Sequence, residues 1–151
     1  MTMSNEGKKV EAQAMVEAFH RMFDIVVHRV PTALDDRTRA LRERLIQEEF
    51  EELKEAMAHN DLDCIAKEMA DLLYVVYGTA VSYGIDMEPV FREVHRSNMS
   101  KVGGYKREDG KWVKPASYSP ARITPILVEQ AARHRQMVES GSELEEVQPE
   151  I

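Results

Sequence analysis

A chain of 151 residues suffices for one domain with a real core, and 43% hydrophobic with 31% charged side chains is the composition of an ordinary soluble globular protein. Its 7 glycines and 6 prolines leave few turns for a many-stranded β architecture, so an all-α fold is expected. The net charge of −7 argues against a binder of nucleic-acid polymers, whose phosphates are held by Lys and Arg, but not against a small phosphorylated ligand, because bound divalent cations reverse the sign of an acidic pocket.

Residues 1–9 read as a polar tail without the apolar run of a signal peptide. Val10, Met15, Ala18, Phe19, Met22 and Ile25 or Val26 then recur at helical spacing, which predicts a first helix running up to Pro31. Asp35 or Asp36 offers the cap of a second helix with Ile46, Phe50, Leu53 and Met57 as its inward stripe, ending near His59 and Asn60. Asp61 caps a third, striped by Ile65, Met69, Leu72, Val76 and Thr79 and stopped by Gly84. The short connection between the second and third predicts an antiparallel helix hairpin.

A fourth helix is expected from Asp86, with Pro89 in its first turn, to a point before Gly103 and Gly104. Residues 102–119 read as a loop with a small hairpin around Asp109-Gly110. Thr124 followed by Pro125 signals the cap and first position of a fifth helix to about Glu139. The expected organisation is a single helical domain over 10–139, a bundle of about five helices built on the hairpin, followed by an acidic, disordered tail over 140–151. The mainly apolar stretch 72–85 is too short to span a bilayer, and Cys64 has no second cysteine to pair with; together these predict a cytoplasmic protein with no membrane association.

The chemistry concentrates in the predicted hairpin. Glu48, Glu49 and Glu52 fall on the second helix, Glu68 and Asp71 on the third, and residues three or four apart on a helix share a face. In isolation a glutamate run is ordinarily a solvated face, and Glu51 and Glu55 are assigned to one. The segment Ile46-x-x-Glu49-Phe50-x-Glu52-Leu53 is, however, echoed nineteen residues later by Ile65-x-x-Glu68-Met69-x-Asp71-Leu72. At about 100° per residue, both carboxylate pairs flank their apolar stripes on corresponding sides, so an antiparallel hairpin brings them to one point. Carboxylates crowded at the border of a core repel one another and lose hydration unless protonated or metal-bound. A hard divalent cation resolves the conflict: Mg²⁺, or Mn²⁺ in its place, suits a few carboxylates plus substrate phosphates.

The pattern Glu48-Glu49-x-x-Glu52 followed by Glu68-x-x-Asp71 resembles the EExxE and ExxD signature of the all-α nucleoside triphosphate pyrophosphohydrolases, a superfamily that includes MazG-like proteins, dimeric dUTPases and phosphoribosyl-ATP pyrophosphohydrolases. The resemblance covers roughly residues 40–104, and Glu68-Met-Ala-Asp71-Leu-Leu-Tyr74 is closest to the phosphoribosyl-ATP and MazG-like branches. It implies a MazG-like helical bundle assembled as a homodimer or dimer of dimers. The implied reaction splits the α–β phosphoanhydride of a nucleotide substrate into a nucleoside monophosphate and pyrophosphate. Glu49, Glu52, Glu68 and Asp71 would be metal ligands, and Glu48 would bind a second metal or orient the attacking water. The segment Ser97-Asn98-Met99-Ser100-Lys101 is similar to the family's nucleotide-contacting stretch, implying Lys101 as a phosphate partner and Asn98 as a ribose or base contact.

The chain lacks both the basic C-terminal arginine motif of true phosphoribosyl-ATP hydrolases and the tryptophan-lined pocket of some dCTP-preferring relatives. A (deoxy)nucleoside triphosphate, dUTP or a non-standard nucleotide to be cleared, is therefore the first expectation. Phosphoribosyl-ATP is the second, and a non-catalytic, metal- or nucleotide-binding assembly the third. His20, His95, Arg96, Trp112 and Tyr105 are read as surface or packing residues, Lys106 and Arg107 as exposed loop charges, and Cys64 as a small packing residue.

Overall fold

A computed structural model describes residues 11–141. The expected tail over 1–9, and all of the C-terminal one after Gly141, lie outside these residues. The fold is all-α: five helices, α1 (Glu11–Met22), α2 (Asp36–His59), α3 (Leu62–Tyr83), α4 (Met87–Met99) and α5 (Thr124–Glu139), with a small antiparallel pair of strands, β1 (Tyr105–Lys106) and β2 (Trp112–Val113), between the last two helices. The described residues group into two compact units that meet in sequence at Met87 and Glu88. No helix among them is long and apolar enough to cross a membrane.

In the first unit α3 packs against both α1 and α2. Local chemistry sets the hairpin ends. Asp35 caps α2 by accepting from the Thr38 amide at 2.9 Å, and Asn60, in the left-handed conformation with φ 53°, closes it. Asp61 then accepts from the amides of Asp63 and Cys64, starting α3 after a connection of two residues, Asn60 and Asp61. At the far end Gly84, with φ 71°, is pressed on the Val30 carbonyl, where a Cβ would come within 2.2 Å of the oxygen; only glycine satisfies both conditions.

The first helix is shorter than its apolar periodicity predicts. It stops at Met22, Asp24 takes φ 55°, and the chain continues without regular structure to Asp35. The segment Ile25-Val26-Val27-His28-Arg29-Val30-Pro31 is rich in β-branched residues and ends on a proline, which disfavours helix in the residue before it. Tertiary hydrogen bonds hold it instead: the His28 and Thr32 amides donate to the carbonyls of Val81 and Tyr83, and Ser82 Oγ donates to the Val26 carbonyl at 2.8 Å. Gln13, 1% exposed, ties α1 to the turn after α3, its amide donating to the Ile85 carbonyl and its oxygen accepting from the Met87 amide.

The inward stripes are less covered than expected. Phe50 and Met57 on α2 and Met69 and Val76 on α3 are all exposed, and the buried apolar residues of the unit, among the described residues, are Val16, Ala56, Ala80 and Val81. Large apolar side chains on both helices of the hairpin are thus left beside the contacts that α3 makes with α1 and α2 rather than within them. Cys64 also differs from expectation: it stands exposed in the first turn of α3.

In the second unit the hairpin forms around Asp109-Gly110, pairing Tyr105 with Val113 and Lys106 with Trp112. The fifth helix begins at Thr124 with Pro125 in its first turn, but Thr124 is its first helical residue rather than its cap; Ile123 precedes it and makes no side-chain capping bond.

Candidate functional site

Glu49, midway along α2, and Glu68 and Asp71, two turns into α3, each place a carboxylate oxygen within 4.8 Å of the others. The sites are positioned by helix geometry: Glu68 and Asp71 are one turn apart on α3, and the antiparallel pairing of α2 brings Glu49 opposite them. Glu49 Oε2 and Glu68 Oε2 are both buried with no hydrogen-bond partner. Buried polar atoms are nearly always paired, because an unsatisfied one loses its hydration without compensation. Desolvation pushes the Glu49 carboxyl above its usual range, and the charges of Glu52, Asp71 and Glu68 push it further.

One cation is already present. Lys67 Nζ lies 2.8 Å from Asp71 Oδ2 and 3.2 Å from Glu68 Oε1, and these bonds raise the lysine's pKa. The ammonium neutralises the solvent side of the cluster but leaves the two inner oxygens bare. A divalent cation fits what remains: hard oxygen donors converging from two helices, with orphaned lone pairs on the buried side. Sequence reasoning did not single out Lys67, although its spacing of four from Asp71 is an ion-pair signal.

The other expected residues are distributed differently. Glu52 stands outside the triad, although close enough that its charge raises the Glu49 pKa. Glu48 is exposed and faces Arg44, its Oε1 3.9 Å from Arg44 Nε. One residue of helix separates Glu48 from Glu49, so about 100° of rotation divides their directions. Asn98 and Lys101 belong to the second unit, where Lys101 Nζ donates to Asn98 Oδ1 at 2.7 Å.

Around that pair the second unit is rich in cations and aromatic surface. Asn98, Met99, Lys101, Val102 and Trp112 line a cavity of about 200 Å³. Trp112, itself exposed, donates through Nε1 to the Lys101 carbonyl at 2.8 Å, which ties the hairpin to the turn after α4. Lys114 Nζ sits 4.3 Å from the Tyr118 ring centre and Lys101 Nζ 6.0 Å. The Tyr118 phenol is drawn below its usual pKa, first by the hydrogen bond from Ser97 and then by the two lysine charges. Arg96 is committed elsewhere: it clasps Glu93 with two bonds of 2.8 and 2.9 Å and reaches Ser119 and the Pro120 carbonyl.

The phosphoribosyl-ATP pyrophosphohydrolase family model matches residues 16–98, more than half of the chain. The match contains all five acidic candidates, ends on Asn98 and stops short of Lys101. It also begins inside α1, which carries none of the acidic motif, so α1 is part of the shared fold. No curated protein matches the chain.

Proposed function

The chain belongs to the phosphoribosyl-ATP pyrophosphohydrolase family, and on that premise we propose that it hydrolyses the α–β phosphoanhydride of a nucleotide, with Glu49, Glu68 and Asp71 holding a divalent cation, Mg²⁺ or Mn²⁺. Family members are hydrolases that act on phosphoanhydrides. The observation that carries the reading is the convergence of three carboxylates from two helices with two buried oxygens left unpaired. A bound divalent cation supplies neutralisation of the phosphate charge and acidification of water.

The chain's own residues have separate tasks in this reading. Glu52 completes the acidic ring from the next turn of α2. Glu48 keeps an exposed carboxylate, 3.9 Å from Arg44, and accepts the proton of the attacking water on that carboxylate. A new oxygen–phosphorus bond forms at the α-phosphorus as the bond to the β-phosphoryl oxygen breaks, and pyrophosphate leaves. Lys101 and Asn98 contact the nucleotide, the ammonium offsetting phosphate charge. The uncovered Phe50, Met57, Met69 and Val76 support assembly with a second copy, as a homodimer or dimer of dimers, because apolar residues of this size in a helical layer call for an opposing one. The working compartment is the cytoplasm.

Two substrates share this bond. A (deoxy)nucleoside triphosphate is supported by the missing arginine motif, and phosphoribosyl-ATP by the family match, at least as strongly. Pyrophosphate release from dUTP, dCTP, dATP, dGTP, their ribo-counterparts and phosphoribosyl-ATP, each with Mg²⁺ and with EDTA, separates them. Metal-dependent release from one class identifies the substrate. No release from any, in a chain whose melting temperature rises with Mg²⁺, would replace the enzyme by a metal-binding assembly protein.

A further inference from the structure

Arg42, on α2, is 5% exposed. Its Nε donates to Thr79 Oγ1 at 3.1 Å and its Nη2 to the Val75 carbonyl at 2.8 Å, while Thr79 Oγ1 itself donates to that carbonyl at 2.8 Å. The three bonds close a ring between α2 and α3. No carboxylate pairs with this guanidinium among the described residues, so the fold holds a buried charge on neutral acceptors alone, an arrangement costly for stability. A guanidinium so placed can do more than fill space.

The helix register supplies one. Arg42 precedes Glu49 by seven residues, and Val75 follows Glu68 by seven. Seven residues is about two turns, or roughly 10 Å of rise, and returns to nearly the same face. In an antiparallel pair, stepping back along one helix and forward along the other by equal amounts preserves the alignment. The Arg42–Val75 bond and the Glu49–Glu68 approach therefore belong to one and the same register. The connection at Asn60 and Asp61 fixes that register at one end of the hairpin, and the arginine fixes it beyond the carboxylates at the other.

The surroundings are shaped for this side chain. A Cβ on Gly78 would lie 2.5 Å from Arg42 Nη2 and 2.9 Å from His20 Nε2, so the missing methyl is the space the guanidinium uses. His20, 2% exposed, contacts the Val26 carbonyl through Nδ1. A carbonyl only accepts, so the proton sits on Nδ1 and the Nε2 lone pair is left on the side of the arginine. Burial lowers the His20 pKa, which keeps the ring neutral beside the guanidinium.

Resting on the pyrophosphohydrolase reading of the carboxylate triad, we propose that Arg42 is a positioning residue: its bonds to Val75 and Thr79 lock the axial register of α2 against α3 and so hold Glu49 within reach of Glu68 and Asp71. A slide of one residue is about 1.5 Å, enough to open a triad whose oxygens lie within 4.8 Å of one another.

The test measures Mn²⁺ affinity of the full-length chain by electron paramagnetic resonance, together with the melting temperature of the metal-free chain, at a temperature well below every melting point. Arg42→Lys keeps the charge and loses the fork; it is expected to weaken Mn²⁺ binding by about 10-fold, the lower end of what losing an orienting group costs a metal site. Gly78→Ala should do the same by displacing the guanidinium, and the double variant should bind no more weakly than Arg42→Lys alone. Val16→Ala, a cavity in the core, should lower the melting temperature without changing Mn²⁺ affinity. If Arg42→Lys does not fold, Thr79→Val, which removes one of the two acceptors, should weaken binding by a smaller factor. Wild-type affinity in Arg42→Lys, or in Thr79→Val where that variant has to stand in for it, would overturn the positioning role, and so would an equal loss in Val16→Ala. A wild-type chain that binds Mn²⁺ but releases no pyrophosphate refutes the enzyme and leaves this test intact; one that binds no Mn²⁺ refutes both.

Discussion

Residues 11–87 carry sixteen acidic and eight basic side chains, whereas residues 88–141 carry six acidic and ten basic. In the first region several cations are paired along a helix, as in Arg21 with Glu17, Lys54 with Glu51 and Lys67 with Asp71, Arg42 bonds neutral acceptors, and Glu49 and Glu68 each keep an unpaired oxygen. In the second region the arginines are largely committed, Arg92 to Glu88 and Arg96 to Glu93, while Lys101 and Lys114 face neutral partners, an amide oxygen and a phenol ring. Surface ion pairs contribute little to stability, so the informative charges are those left without an opposite. Unpaired carboxylate oxygens mark the first region, and lysines on neutral partners mark the second.

The largest expected effect breaks the first half of that contrast. Asp71→Ala should reduce metal-dependent pyrophosphate release by more than about 100-fold, because even a group behind a metal ligand is worth roughly 10- to 100-fold. Its circular dichroism should stay helical, since alanine is the best helix former. An active Asp71→Ala chain would detach the carboxylates from the chemistry.

Lys101→Ala probes the other half. Loss of a charge-assisted bond of about 1.5–3 kcal/mol predicts a KM about 10-fold higher with Mn²⁺ affinity unchanged. Initial rates and a Mn²⁺ titration on the same preparation check both. Weakened Mn²⁺ binding in this variant would mean that the two regions do not divide metal and nucleotide between them.

The smallest effect sharpens the contrast without touching either proposed ligand set. The Glu93 carboxyl is held down at about 2, first by the Arg96 guanidinium and then by the Arg122 amide. A carboxylate whose folded pKa lies below its unfolded value adds stability that is present above the ordinary glutamate range and is lost as pH falls through about 2. Glu93→Gln should therefore flatten the fall in melting temperature between the ordinary glutamate range and about pH 2. Equal slopes in variant and wild type would show that this clasp does not contribute to the acid response.

How much of this was legible in the chain itself depends on the range of the interactions. Asp35, Asp61 and Gly84 mark helix ends through bonds to residues a few positions away, so the hairpin and its short connection follow from local pattern. The nineteen-residue echo placed Glu49, Glu68 and Asp71 at corresponding positions for the same reason. The end of α1 was not legible, because the β-branched segment after Met22 is held by the carbonyls of α3 rather than by neighbours in sequence. Nor was the outward direction of Glu48, which depends on where the seam between α2 and α3 falls.

The sequence by itself determined the all-α class, the caps of the α2–α3 hairpin and the acidic motif with its family, since these depend on spacing along one chain. Only the tertiary structure decided that a guanidinium would be buried at Gly78, that two carboxylate oxygens would be stripped of water, and that Lys67 rather than a more distant cation would face them. Burial and register are properties of pairs of helices, and no residue's identity specifies them until the partner helix is in place.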